Sequence, residues 1–395
     1  MTTTAAAPLP AAVVASRIAS VDLIRGAVMV LMAIDHMRVY AGVPAGGPDP
    51  AVFFTRWVTH FCAPAFIFLA GTSAFLYARR HADVARVLLT RGLWLIVLEM
   101  TVLRVAWTFN LEFARYNMAG VIWVIGWSML ALALLVRLRL RVIAAFGVVL
   151  IAGHNLLDYA DGLAATLGES SLSGLWKTLY IGFFAGPIVV SEGGPTLWVL
   201  YSLVPWVGVM AAGYAFGAVL TLDADRRNRL CLRIGLGATA LFVVLRGFNL
   251  YGNPQPWTPP DLLSFLNTAK YPASLAFLLM TLGPTIALMP LLERAGGTVA
   301  TWLTVFGRVP FFFYVLHIPL IHVLAMLVSL GRTGAVDSWL FADHPMAPPP
   351  PPDGYMWSLP LLYAVWAVAI VILYFASKWF AGVKARQTDW WLRYI

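Results

Sequence analysis

Between Ser20 and Arg38 the chain carries Asp22, Arg25, Asp35 and His36 within a run otherwise apolar enough to enter a bilayer. Ionisable groups at membrane depth cost about 2.5–3.5 kcal/mol each on insertion scales, so a segment that keeps them usually uses them. Asp22, Arg25, Met29, Met32 and His36 recur at steps of three and four, which puts them on one stripe of a helix. At the rise of an α-helix that stripe runs about 21 Å, most of the way across the hydrocarbon. Two readings stand for it. In one, Asp22 and Arg25 pair at i,i+3 and close the helix at the interface, and His36 is a packed core histidine. In the other, His36 is a base, since imidazole alone titrates near neutral pH. Its depth favours the second. Asp35 is also a catalytic candidate, although neighbours on a helix point about 100° apart, so a carboxylate orienting His36 is expected from another helix.

Other histidines fall at a similar level. His60 opens the second apolar segment, His154 ends the fifth, and His317 and His322 lie in the ninth. His36, His60 and His317 are the candidates for a site; His154 and His322 are expected in the core. His317 and His322 are i,i+5 and point to different faces, so no metal centre is expected. Glu99, mid-segment, needs a partner, and a buried structural ion pair is expected. Arg25, Arg91 and Arg308 lie toward the opposite end and could bind phosphate through paired hydrogen bonds.

The elements that must hold these residues are membrane helices. Of 395 residues, 61% are hydrophobic and 11% charged, mean hydropathy is +0.80, and apolar runs of spanning length recur from end to end. The fold class is therefore all-α, a polytopic integral membrane protein. Ten spans can be drawn, at 21–40, 57–77, 87–108, 120–136, 142–159, 197–220, 230–249, 272–291, 302–330 and 359–380. Arginines cluster after the second, fourth, sixth and eighth, which places both termini in the cytoplasm by the positive-inside rule. The net charge of +9 sits in those short loops and on no basic domain, so nucleic acid is excluded as a partner. Cys62 and Cys231 fall near opposite faces and are not expected to pair.

Residues 1–17 read as a flexible tail without a charged n-region, and 18–395 as one transmembrane domain. The 160–195 loop is expected on the membrane surface with a hairpin near 178–190, and the five prolines of 348–352 as a stiff polyproline segment.

Several stretches resemble a known family. Asp22-x-x-Arg25-Gly26, with His36 ending the helix, is similar to the first span of transmembrane acyltransferases. Trp57-Val-Thr-His60-Phe-Cys-Ala-Pro64, Val121-Ile-Trp123, Pro205-Trp206-Val-Gly208, Lys270-Tyr271-Pro272, Gly307-Arg308-Val-Pro310 and Asp389-Trp390-Trp391 resemble bacterial members of the heparan-α-glucosaminide N-acetyltransferase-like catalytic domain family. The resemblance implies an inner-membrane enzyme that takes an acetyl or other short acyl group from cytoplasmic acetyl-CoA or acyl-CoA. It would give that group to a hydroxyl or amine of an extracytoplasmic sugar. His36, His60 and Asp35 would then be catalytic, Arg25, Arg91 and Arg308 would bind acyl-CoA, and His317, Trp123 and Asn117 the acceptor. Partners would be membrane lipid, acyl-CoA and the sugar, with a homo-oligomer left open. The chain departs from the lysosomal branch, which uses a histidine from its first non-cytoplasmic loop; none occurs between Ala41 and Arg56. A heparan-derived acceptor and an acetyl-histidine intermediate are not carried over. The competing class is a small-molecule or lipid-linked-sugar transporter or flippase, which also uses Pro- and Gly-broken helices. No half of the chain repeats the other, which weighs against it.

Overall fold

A computed structural model describes residues 18–160, 171–342, 349–387 and 389–393; the proposed tail at 1–17 lies outside these. Its axis is helix α1 (Ala19–Tyr40). Asp49 caps the next helix, accepting from the amides of Ala51 and Val52, and Pro50 presets its first turn. That helix, α2 (Pro50–Trp57), continues through a tight turn at Val58–Phe61 into α3 (Cys62–Ala78). Pro64 has no N–H for the carbonyl of His60, which accounts for the irregular turn. The chain goes on through α4 (Val84–Leu98), a π turn at Glu99–Leu103 and α5 (Arg104–Thr108). Strand β1 (Asn117–Ala119) leads into α6 (Val121–Leu135) and α7 (Leu140–Gly153). After the short α8 (Ser171–Trp176) come β2 (Ile188–Val189), β3 (Thr196–Val199) and α9 (Leu203–Phe216). The rest is α10 (Ala224–Gly247), α11 (Leu262–Leu266), α12 (Leu275–Leu292), α13 (Gly297–Arg308), α14 (Pro310–Thr333) and α15 (Leu359–Arg386).

Among the described residues seven helices are long and apolar enough to cross a membrane: Pro50–Ala78, Leu140–Ala160, Leu203–Thr221, Ala224–Gly247, Leu275–Leu292, Pro310–Thr333 and Leu359–Arg386. The other three expected spans are helical but do not meet that criterion. Helix α1 carries its charges, 84–108 has both charges and a π turn, and Val121–Leu135 is short. Three boundaries differ from expectation. The ninth span is two helices, because Val309 precedes Pro310 and is pushed out of the helical region, to φ −132° and ψ 49°. The sixth begins as strand: β3 pairs in parallel with β1, Met118 opposite Trp198, and antiparallel with β2. The hairpin is therefore β2–β3, turning at Gly193 with φ +68°, and not at 178–190. Of the proline run, Pro351 packs against Gly42 at the end of α1.

Without water between them, membrane helices pack through small residues that let backbones approach. Helix α1 packs on α3, α12, α13, α14 and α15, and its contact with α13 is the closest of this kind. A methyl on Gly307 would stand 1.8 Å from the Asp22 carbonyl oxygen, and one on Gly26 1.9 Å from that of Leu303. Helices α3 and α9 meet in the same way: a methyl on Gly213 would lie 2.0 Å from the Phe68 oxygen.

These contacts predict that Gly307→Ala forces α1 and α13 apart and destabilises the protein by about 1–3 kcal/mol. Gly237→Ala, in α10 where an added methyl meets nothing within 4 Å, should be neutral or slightly stabilising. Thermal unfolding in detergent measures both, and equal effects would contradict the close-approach account.

Candidate active site

His36 and His317, 281 residues apart, meet between α1 and α14: His36 Nδ1 and His317 Nε2 are 2.6 Å apart. His317 Nδ1 lies 2.6 Å from the Tyr314 carbonyl oxygen. A carbonyl only accepts, so His317 carries its proton on Nδ1 and its lone pair on Nε2. His36 Nδ1–H then donates to that lone pair. The network thus assigns His36 Nε2 as the atom left to take a proton. The edge of Trp107 packs on the His36 ring at 4.8 Å between centroids, holding the imidazole in place.

Beside the pair is a buried charge cluster. Asp35 accepts from Arg38 Nε and from Arg56 Nη1, both at 2.9 Å, one on each carboxylate oxygen. Lys270 Nζ stands 3.9 Å from Asp35 Oδ2. Three cations therefore share one carboxylate, and all four side chains are 15% exposed or less. Arg38 also donates to the Val43 carbonyl at 2.6 Å. The surplus of positive charge is felt by Tyr271: burial works against its ionisation, yet Lys270 and Arg56 hold its phenol below the ordinary value. Asp35, a catalytic candidate from the sequence, lies at the centre of this cluster, and the group that meets His36 Nδ1 is His317 and not a carboxylate.

Lys270 is delivered by the loop before α12, which other elements fasten. Asn253 Oδ1 accepts from the Ala269 amide at 2.9 Å and the Ser274 hydroxyl at 3.1 Å. His154 Nε2 donates to the Ala273 carbonyl at 2.7 Å, and Asn155 Oδ1 accepts from the Leu275 amide at 2.8 Å. On the other side Ala119, at the end of β1, accepts from the amides of Leu200 and Tyr201, which sets Tyr201. A small cavity results, lined by Met32, Asp35, His36, Thr59, Cys62, Ala63, Phe66, Val121, Tyr201 and Lys270. Its roughly 30 Å³ of space holds about two water molecules. Cys62 is a free, buried thiol that donates to the Val28 carbonyl at 3.2 Å.

Several expected site residues sit elsewhere. His60 turns its ring toward Phe277, 5.4 Å between centroids, and its neighbours Thr59 and Cys62 line the cavity instead, because the tight turn at Val58–Phe61 rotates it away. Trp123 is in the core at 5% exposure, and Asn117 Nδ2 donates to the carbonyls of Phe113 and Thr196, which ties it to the sheet. Neither lines the cavity. Glu99 has no ion pair among the described residues; its carboxylate accepts from the amides of Ile122 and Trp123 at 3.1 and 3.3 Å. The N-terminus of α6, with its unbonded amides and positive dipole end, replaces the expected cation. Asp22 and Arg25 are 3.9 Å apart, and Arg25 also donates to Leu69 O and to Ser73 Oγ on α3. Arg308 is exposed and follows Gly307, which lies on the Asp22 carbonyl, so it shares that end of α1 with Arg25. Arg91, half-buried, is on α4. Lys270, Arg38, Arg56 and Tyr201 were not among the expected site residues. The available signal was that Arg38, Arg56 and Lys270 fall at the span ends that the positive-inside rule leaves poor in cations.

Residues 17–248 match the family model described as heparan-alpha-glucosaminide N-acetyltransferase, catalytic. That is more than half of the chain and includes His36, Asp35, Arg38 and Arg56; Lys270 and His317 lie beyond it. Comparison with curated proteins returns no match.

Removing the carboxylate of Asp35 leaves Arg38, Arg56 and Lys270 to repel one another at low dielectric. Asp35→Ala should therefore cost about 3–5 kcal/mol, read as a lowered thermal midpoint in detergent. Adding Arg38→Met to Asp35→Ala removes one uncompensated charge and should restore part of the loss. An unchanged midpoint for Asp35→Ala would refute the anchoring role.

Proposed function

We propose, from the premise that this chain belongs to the heparan-α-glucosaminide N-acetyltransferase catalytic family, that it is a CoA-dependent acyltransferase of the bacterial cytoplasmic membrane. It is a membrane protein of an acetyltransferase family. In this reading, an acetyl or other short acyl group passes from cytoplasmic acyl-CoA to a hydroxyl or amine of a sugar at the opposite face. Ten spans and cytoplasmic termini complete it.

The observation that carries the proposal is the His36–His317 pair beside the cavity. Acyl transfer from a thioester needs a base near neutrality to activate the acceptor. His36 Nε2 takes the acceptor's proton as the acceptor oxygen or nitrogen bonds to the thioester carbonyl carbon. The carbonyl π electrons move onto oxygen and then return, the C–S bond breaks, and the thiolate takes the proton back from His36. Through its bond to His36 Nδ1–H, His317 stabilises the imidazolium in between, as Tyr314 O does for His317. The Cys62 thiol donates its S–H to the Val28 carbonyl, which supports direct transfer over an acyl-cysteine route, since only the thiolate is an effective nucleophile.

Arg25, near the start of α1, and Arg308, at the end of α13 beside it, suit the CoA phosphates, with Arg91 a further candidate on α4. His36 is about 16 Å along α1 from Arg25 by helix rise. The uncharged pantetheine arm of CoA would bridge that distance.

Purified protein in detergent or liposomes should release free CoA thiol from acetyl-CoA when a sugar acceptor is supplied. A transporter would release none. His36→Ala should abolish release with folding retained. His317→Leu should lower kcat by about 100-fold, at the lower end of general acid–base contributions. Cys62→Ala should remain within about threefold of the parent, because the thiolate route is not used. An active His36→Ala protein would end the assignment, and an inactive but folded Cys62→Ala would replace direct transfer by an acyl-enzyme.

A further inference from the structure

Both oxygens of Asp35 are occupied by the guanidinium groups of Arg38 and Arg56 at 2.9 Å. The third cation, Lys270, stays at 3.9 Å, beyond hydrogen-bond length. Its side chain is 7% exposed, and it lines the same cavity as His36. An ammonium carries three donors and is costly to bury without acceptors. This one therefore keeps donor capacity beside the base, at a small cavity that it helps to line.

The lining and size of that space add a second constraint. Lys270, Asp35, His36, Thr59 and Tyr201 give it polar groups, and Met32, Ala63, Phe66 and Val121 give it apolar surface. Room for about two waters is on the scale of an acetyl group and below that of a sugar ring or a nucleotide.

Resting on the acyl-transfer reading above, we propose that this cavity receives the acyl group during transfer, its carbonyl oxygen directed at Lys270 Nζ. Lys270 stabilises the negative charge that forms on that oxygen when the acceptor adds to the carbonyl carbon. The charge disappears when the carbonyl reforms and the thiolate leaves. No electrons are gained or lost, and the only proton moved passes through His36. Asp35, Arg38 and Arg56 are positioning residues in this scheme: they exhaust the carboxylate, so Lys270 is not drawn into a full ion pair. Phe66 bounds the acyl chain, making acetyl the preferred donor.

The test compares the parent protein with Lys270→Met, Lys270→Gln, Lys270→Arg and Phe66→Ala, measured for thiol release from acetyl-CoA and butyryl-CoA. Lys270→Met and Lys270→Gln should lower kcat about 100-fold, as loss of one oxyanion donor does elsewhere. Their KM for acetyl-CoA should change by less than about threefold, because the contact strengthens only in the transition state. Their thermal midpoint should be unchanged, because Asp35 keeps two partners. Lys270→Arg should recover part of kcat. Phe66→Ala should raise the butyryl-to-acetyl rate ratio at least about tenfold, as a pocket enlarged by several carbons allows. A folded Lys270 variant with parental kcat, or one that loses only KM, overturns the oxyanion role. An unchanged acyl preference in folded Phe66→Ala overturns the chamber. Both results are read in a parent that is active and dependent on His36; a parent that releases no thiol overturns the transferase reading and this proposal together.

Discussion

The site depends on one carboxylate. Asp35 ties the last turns of α1, the α2 segment and the loop before α12 through Arg38, Arg56 and Lys270, three elements far apart in the chain. Ions at this depth are tolerated when each finds a partner and its remaining donors find acceptors. Arg38 does so at Val43 O and Arg56 at the Thr59 hydroxyl, 3.4 Å away. The arrangement is stiff because Asp35 cannot move without stranding Arg38 and Arg56. It also leaves the cavity with positive potential, which suits a reaction that generates negative charge on carbonyl oxygen and then on sulfur.

Histidine chemistry is positioned by packing and not by charge. The His36 ring is fixed by Trp107 at its edge and by His317 at its Nδ1, and His317 is fixed by its own helix at Tyr314 O. The placement of α14 against α1 follows from the turn at Val309 and from the contact of Gly26 and Gly307 between α1 and α13. Stability at that contact and geometry at the histidines are therefore linked: a side chain at Gly307 displaces the hairpin whose second helix carries His317.

Many buried charges in this protein are satisfied by backbone. Glu99 caps α6. Arg246 donates to the carbonyls of Gln255, Ser264, Phe265 and Asn267 and so folds the loop between α10 and α12 around itself. Helix ends and loops offer unbonded amides and carbonyls, and these serve a buried ion without a second desolvated charge. That is why the ion pair expected at Glu99 is absent among the described residues.

Composition and periodicity determined the class. Long apolar runs exclude a water-soluble fold, and steps of three and four placed Asp22, Arg25 and His36 on one face of α1. The family resemblance was also legible, because its motifs are local in sequence, and residues 17–248 carry the match. Tertiary structure decided the partners. Nothing local pairs His36 with a histidine 281 residues away or sets Lys270 beside Asp35. The same limit explains why His60, Trp123 and Asn117 do not line the cavity: depth and residue type were readable, but the direction each side chain takes was not. A turn at Val58–Phe61 re-aims His60, and hydrogen bonds to the carbonyls of Phe113 and Thr196 engage the Asn117 side chain. Periodicity reports which residues share a face; which neighbour that face meets is set by helix crossings at glycines and by loops whose hydrogen bonds close over hundreds of residues.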